Sequence, residues 1–367
     1  MPGMELLDPC LDCREVESTL TLRKRRVCID CYKRVVGYKV FRRTEKYRLR
    51  RDLPKTGEYK ILVPLSYGLS SSVLLHLLHD QVRVQRSKSH PPPGFDLHVL
   101  IIDPSTISPS QPAHDEGFEL AQKLFPLCTF TRIPFHDIFE HVPDMQQTMA
   151  QFAGTKFTDN PSLSHKERLD AFRSSIESAT SKADVDGALR NRLIVAIAKE
   201  VGAKTILWGD SDTTLAAKTL ANVAKGRGSS LTWQVSDGMS PSGLEFNFAL
   251  RDLFTVELRN YASFFPELSR MILPDEPPSE NTLTKNLSID ELMMRYVQTQ
   301  GEKYPGVMLN VTRTANKLLS SEGPAQKSLC TFCGSSIWEA EDRPTLVEGQ
   351  TPEFCYACAR SRPDLSC

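Results

Sequence analysis

The stretch YKILVPLSYGLSSSVLLHLLH, residues 59–79, holds two hydrophobic patterns separated by a polar loop. Tyr59 to Leu65 is a short apolar run suited to a parallel strand buried on both faces, and Ser70 to His79 follows as a helix. Between them lies Ser66-Tyr67-Gly68-Leu69-Ser70-Ser71. Doubly wound folds lay a phosphate against backbone amides at this strand-to-helix turn. A Ser and Gly loop is equally what ordinary N-capping requires, so on local grounds both readings stay open.

Outward from this unit the alternation continues. Asp96 to Ile102 reads as the next strand, after a polar, Pro-rich insertion ending His90-Pro-Pro-Pro-Gly94. A helix is expected near Asp115 to Leu124, a strand near Cys128 to Ile133 and a helix from Val185 to Val201. Lys204 to Trp208 is a strand and Thr213 to Ala224 a helix. Repeated strand and helix alternation argues for an α/β, doubly wound parallel sheet. Asn160 to Asp186, rich in Ser, Lys, Asp and Glu with a helical piece near Lys166 to Ser178, reads as an insertion or flexible crossover. Pro274 to Asn281 is a linker signal, and Ser288 to Thr299 a short helix.

Eight of the ten cysteines form four CxxC pairs, two near each end of the chain. Cys10, Cys13, Cys28 and Cys31 make one complete set of thiolate ligands, and Cys330, Cys333, Cys355 and Cys358 another. Two knuckles close a tetrahedral zinc sphere with no position left for water, so each set folds the chain rather than catalysing. Disulfides or redox chemistry are the competing readings. The start, Met1 to Pro9, has no apolar h-region and no stretch is long enough to span a membrane, which favours a soluble, reducing compartment. Cys128 and Cys367 are unassigned, Cys128 being expected in the core. The histidines lack ligand-like spacing and read as packing or surface residues.

With 367 residues, 40% hydrophobic and 25% charged, the chain is an ordinary globular protein of two to three domains. The expected division is an N-terminal zinc module with a basic segment over 1–55, an α/β domain over 56–273, a linker and helical segment over 274–325, and a zinc ribbon over 326–367. Net charge is zero, yet thirteen Lys and Arg crowd between Arg23 and Arg51 against only Asp30 and Glu45. They are Arg23, Lys24, Arg25, Arg26, Lys33, Arg34, Lys39, Arg42, Arg43, Lys46, Arg48, Arg50 and Arg51, interleaved with Tyr32, Tyr38, Phe41 and Tyr47. Clustered cations neutralise phosphates and interspersed aromatics stack on unpaired bases, so RNA is the favoured partner. A solvated basic helix or a nuclear localisation patch is the alternative.

The whole pattern resembles the adenylating tRNA thiolation enzymes, which carry an SGGxDS pyrophosphatase loop between zinc modules. This chain matches SGGxDS at Ser66, Gly68 and Ser71, the residues left to touch a nucleotide, but has Tyr67 for the second-position Gly and Ser70 for Asp. Both departures oppose ATP and Mg²⁺ chemistry: a side chain is expected to crowd the amides, and an oxygen ligand is lost. The family's GHxxDD motif aligns with Gly209-Asp-Ser-Asp-Thr-Thr214, which lacks the His and the paired acids. Of the central cysteines that hold an iron–sulfur cluster or relay sulfur in active members, only Cys128 is present, so no cluster is expected. Leu189-Arg-Asn-Arg192 falls at the family's Arg-rich helix, with Arg190 and Arg192 expected to face solvent.

This combination closely resembles the degenerate second-subunit family of the eukaryotic cytoplasmic tRNA 2-thiolation complex. The resemblance implies a cytoplasmic, noncatalytic subunit, with no catalytic residue of its own, that binds tRNA and pairs as a heterodimer with a catalytic thiolase paralogue. It also implies action on the wobble uridine of tRNAs for Lys, Glu and Gln, with sulfur from a thiocarboxylated ubiquitin-related modifier. Two readings remain beside it: an ATP-dependent adenylating sulfurtransferase active in its own right, and a zinc-ribbon adaptor for protein assembly.

Overall fold

In the computed structural model, which describes residues 8–48, 59–88, 94–108, 111, 114–274, 287–318, 328–337 and 353–363, the chain begins with a small hairpin. Its strands are β1 (Leu20–Leu22) and β2 (Arg25–Val27), followed by α1 (Ile29–Arg48). The α/β body then runs β3 (Tyr59–Pro64), α2 (Leu69–Arg86), β4 (Phe95–Ile102), α3 (Pro104–Ile107), α4 (Asp115–Leu124) and β5 (Thr129–Ile133). Next come α5 (Ile138–His141), α6 (Met145–Ala153), α7 (His165–Ser174), α8 (Ala179–Glu200), β6 (Thr205–Leu207) and α9 (Asp212–Ala224). The chain continues through α10 (Leu231–Gln234), β7 (Gly238–Met239), β8 (Glu245–Asn247), α11 (Thr255–Ser263) and α12 (Pro266–Met271). It closes with α13 (Ile289–Lys303), α14 (Pro305–Ala315) and α15 (Tyr356–Arg360).

The main sheet has the order β5-β4-β3-β6-β8-β7. Tyr59 pairs with Phe95 and Ile61 with Thr205, both in parallel register, and only the short edge strand β7 runs antiparallel, so the sheet is mixed rather than wholly parallel. Connection β3 to β4 to β5 moves one way and β6 returns to the other side of β3. The crevice beyond the C-terminal ends of β3 and β6 is therefore the topological switch point.

Side-chain alternation builds two cores, one on each face. Ile61, Val63, Leu97, Val99 and Ile101 point to one layer, packed under α2 and α11, while Leu62, Leu100, Ile102 and Ile206 point to the other, against Leu189, Leu193 and Ile197 of α8. Full burial of each such side chain is worth roughly 1.5–3 kcal/mol, which explains why β3 had to be apolar on both faces. The two four-cysteine modules divide between these layers: Cys10, Val27 and Tyr32 join the α2 side, and Cys330, Phe332 and Cys358 the α8 side.

Two expectations change. Residues 160–186 are not a loose crossover: Leu169, Phe172 and Ile176 are buried at helical spacing, Arg168 pairs with Asp159 and Arg173 with Asp186, and a Ser164–Glu167 capping box starts α7. The abundant polar residues hid that three-position apolar stripe. The helix expected from Ser288 is longer, and with α14 it packs onto α9 through Val297, Met308, Ala216 and Ala217. Residues 90–93, the linker residues 275–281, the boundaries at 55/56 and 325/326, and Cys367 lie outside the described residues.

Candidate functional site

The Ser and Gly loop sits where the β3 signal placed it, at the switch point. Gly68 is the N-cap of α2, and no side chain caps that helix. The loop hydroxyls bond one another instead: Ser66 Oγ lies 3.1 Å from Ser71 Oγ, Ser71 donates to Gly68 O at 3.1 Å, and Ser66 Oγ accepts from Gly68 N at 3.4 Å. Tyr67 does not crowd the amides, contrary to expectation. It adopts the left-handed φ of 58° that a glycine would take freely, at a cost of roughly 1–2 kcal/mol. Its ring turns away into the core, edge-on to His114 at 4.7 Å, and burial pushes the phenol up in pKa.

Beyond the loop opens a cavity of about 560 Å³, lined among others by Ser66, Ser71, Trp208, Asp210, Lys218 and Arg190. Gly209 is required here, because a Cβ would meet the Ser71 Cα at 2.6 Å. Where paired acids would hold a metal ion, Thr214 lines the wall, and the Thr213 hydroxyl accepts from Thr255 N at 3.2 Å. Asp210 is neutralised by Lys218 Nζ at 2.6 Å. The remaining carboxylate of the segment, Asp212, is buried against α14 and accepts from Thr312 Oγ1 at 2.6 Å. Desolvation pushes it up to about 6, and the Thr312 bond only partly opposes that.

Of the two arginines of Leu189-Arg-Asn-Arg192, Arg190 is exposed as expected, at the mouth of the cavity, whereas Arg192 is not. Arg190 lines the cavity, and among the described residues no carboxylate lies within ion-pair reach of it. Arg192 pairs with Asp144 at 2.7 Å and 2.8 Å and donates to Thr331 O at 2.6 Å, so it clamps the C-terminal module onto α8.

Each four-cysteine set does converge. In both, the four sulfurs lie within 4.8 Å of one another, with Cys13–Cys28 at 3.9 Å and Cys333–Cys355 at 3.7 Å. Four thiolates about 2.3 Å from one ion form a tetrahedron with edges of about 3.8 Å, so both sets fit a metal ion and their donor chemistry suits zinc. The N-terminal sulfurs are oriented by backbone: Cys28 N donates to Cys10 Sγ at 3.3 Å, and Cys31 N to Cys28 Sγ at 3.5 Å. Arg34 donates to Cys31 Sγ at 3.1 Å. The C-terminal set receives Arg227, 3.4 Å from Cys358 Sγ and 3.9 Å from Cys355 Sγ. Cys128 is half-buried beside the core, and burial pushes its thiol up to about 12.

The basic run is split by the structure. Arg23 pairs with Glu257, Lys39 donates to Asp252 O, Arg43 bridges Asp237 and Asp252, and Lys46 reaches Glu245. These bonds fasten the hairpin turn at Arg23 and one face of α1 to the α/β body. Arg25 and Arg26 pair with Asp12 and Asp8, and Lys33 lies over the rings of Phe264 and Phe265. Tyr32 and Tyr47 are core residues, Tyr47 stacked on Tyr59 at 5.4 Å, while Tyr38 is exposed. Lys24 and Arg42 are exposed and have no carboxylate partner among the described residues. Arg48 ends α1, and Arg50 and Arg51 lie outside the described residues. The acids that claim this face, Asp237, Glu245, Asp252 and Glu257, were missed by sequence reasoning because nothing local marks them as partners.

Together the mixed sheet, its switch-point loop and the flanking four-sulfur sets define a thiolase-like α/β fold. The same fold is seen in the U34-tRNA thiolase NcsA from Methanococcus maripaludis, solved with its 4Fe-4S cluster: TM-score 0.55, 14% identity, covering 89% of this chain and 95% of that one. Residues 288–349 match the family model for cytoplasmic tRNA 2-thiolation protein 2. Relatives carrying that name from Aspergillus oryzae and Neosartorya fischeri are 70% and 63% identical, each over 100% of both chains. The chain belongs to the cytoplasmic tRNA 2-thiolation protein 2 family.

Proposed function

We propose that this chain is a noncatalytic subunit of the cytoplasmic tRNA wobble-uridine 2-thiolation complex, paired with a catalytic thiolase paralogue. The carrying observation is a nucleotide-type scaffold whose metal-binding chemistry is gone: Lys218 covers Asp210, and threonines stand where the paired acids would be. A Mg²⁺ ion bound to ATP prefers several hard oxygen ligands, and the carboxylates that line this cavity are each already paired with a cation: Asp210 with Lys218, Asp184 with Arg227, Asp186 with Arg173 and Asp290 with Lys225. Zinc in both four-cysteine sets, a cytoplasmic location, tRNAs for Lys, Glu and Gln as substrates, and sulfur from a thiocarboxylated ubiquitin-related modifier complete the reading. tRNA contact falls to the cations that the fold leaves free, Lys24 and Arg42, with exposed Tyr38 one turn from Arg42 as a stacking surface.

The test is 2-thiouridine formation on purified tRNA with ATP and sulfur donor, using this chain alone, the paralogue alone, and both. Product that needs the mixture supports the reading; product from this chain alone overturns it. A second reading, retained ATP chemistry, is favoured by the open cavity and by Arg190, a cation with no ion-pair partner there. Saturable, Mg²⁺-dependent binding of labelled ATP to the isolated chain would establish it, and its absence removes it.

A further inference from the structure

Arg227 is held between two anionic partners. On one side its guanidinium grips Asp184 in a two-pronged pair, at 2.8 Å and 2.5 Å, with both side chains 4% exposed. On the other it faces the sulfurs of Cys358 and Cys355. Asp184 also receives Lys225 Nζ at 3.1 Å and Ser361 Oγ at 3.3 Å, and Lys225 reaches Asp290, in the first turn of α13, at 2.8 Å. Asp184, Lys225, Arg227, Asp290 and Cys333 all line the same cavity as the Ser and Gly loop. An unbroken polar chain thus runs from the C-terminal sulfurs, along the cavity wall, to the start of α13.

Four thiolates around a divalent ion carry a net double negative charge, and a buried charge of that size requires a counter-ion. Among the described residues Arg227 is the cation that touches those sulfurs, and its fork geometry lets it answer a carboxylate and a thiolate pair at once. We infer that Arg227 is a positioning residue that makes the C-terminal metal centre part of the cavity wall. The loaded centre holds Arg227, Arg227 holds Asp184, and Asp184 with Lys225 holds α13 against the cavity. Metal occupancy at the C-terminal sulfurs therefore sets the shape of the cavity, more than 100 residues away in sequence. The inference rests on reading the four sulfurs as a metal centre and is independent of any role in thiolation.

The experiment uses the full chain, zinc-loaded, in a Trp338→Phe background so that fluorescence reports Trp208 and Trp233, which line the cavity. Zinc release to a colorimetric chelator is followed together with that fluorescence in wild type, Arg227→Lys, Arg227→Met and Arg34→Met. Since loss of an outer partner typically weakens metal binding about 10-fold to 100-fold, Arg227→Met should speed one of two release phases about 10-fold or more. Arg227→Lys should restore part of the rate, and Arg34→Met should speed only the other phase. Tryptophan fluorescence should change in the Arg227-dependent phase alone. After exchange of zinc for cobalt, Arg227→Met should move a thiolate-to-metal charge-transfer band to lower energy, a signature that simple loosening does not produce. If Arg227→Met does not fold, the Asp184→Asn, Arg227→Met double variant removes both buried charges and carries the same readouts. Unchanged release phases and band positions, or zinc loss from the C-terminal sulfurs with silent tryptophans, would overturn the inference.

Discussion

The two four-cysteine modules use the same ligands on opposite faces of one sheet, yet they are anchored by different physics. The N-terminal module keeps an open rim, with Leu11 58% exposed, and is tied to the body mainly through α1 and partly solvated ion pairs such as Arg43 with Asp237 and Asp252. The C-terminal module also exposes Leu329 and Tyr356, but its inner side is sunk into the protein. Phe332 is fully buried and stacks on Phe152 at 4.0 Å, Ser335 Oγ meets Ser230 Oγ at 3.0 Å, and Gly226 at φ 75° leaves space for the Tyr356 ring. The same four-cysteine ligand set, built from two CxxC knuckles, therefore does not imply equal embedding: what a module touches decides whether it is an appendage or a wall.

Metal removal is the strongest way to break that contrast. Structural zinc sites contribute on the order of 10 kcal/mol to folding of their modules, so a strong chelator should unfold both, the open-rimmed N-terminal one first. Near-ultraviolet circular dichroism should show two steps, and a fully folded protein in chelator would refute the metal assignment. Phe332→Ala comes next, with an expected loss of about 3–5 kcal/mol from a filled aromatic core, against less than about 0.5 kcal/mol for Leu11→Ala at the other module. Equal losses in urea unfolding would erase the distinction.

Acid should separate the two faces as well. On the N-terminal side His76 lies against Phe265 at 4.4 Å and Tyr261 at 5.7 Å, and burial pushes its pKa down to about 4 from 6.5. An unfolded histidine binds its proton near pH 6.5 and this one only near 4, so stability is complete above that window and falls on acidification, by on the order of 3 kcal/mol. On the C-terminal side burial alone would raise Asp184, but its bonds from Arg227 hold it below the usual carboxylate range. That contribution is present above the unfolded carboxylate pKa and is lost only at stronger acid. The urea midpoint of His76→Phe should therefore fall less between pH 6.5 and 4 than that of wild type; parallel curves would exclude His76 as the sensitive group.

The smallest effects divide the two faces of α1. Arg43→Ala should cost about 1 kcal/mol through its ion pairs, whereas Arg42→Ala should stay within about 0.5 kcal/mol. For tRNA binding the order reverses, with Arg42→Glu weakening affinity and lowering the salt slope by about 1 in electrophoretic titrations. Stronger loss from Arg43→Glu at unchanged stability would move the RNA surface to the docked face.

What could be read in advance was local. The strand from Tyr59, the loop at Ser66 and both cysteine sets announce themselves within a few residues, because apolar runs, N-caps and CxxC knuckles are short-range devices. Pairing across the fold was not readable: Arg43 meets Asp252 across 209 positions, and Arg23 meets Glu257 across 234. A run of cations looks the same whether its counter-charges are phosphates or distant carboxylates. The helix α7 was masked by its polar composition, and the direction of the Tyr67 ring was hidden because backbone conformation, not residue size, decides where that side chain points.

Arg227 and Cys358 are 131 residues apart, and this separation bears on how the protein is made. At the usual pace of translation, about 5–20 residues per second, the arginine leaves the ribosome roughly ten seconds before the sulfur that completes its surroundings. The N-terminal centre has all its ligands by Cys31 and can close almost at once. During the interval the nascent chain carries a buried-type cation and the Phe152 surface without their cover, which is when a chaperone or an early-binding partner has the most to protect.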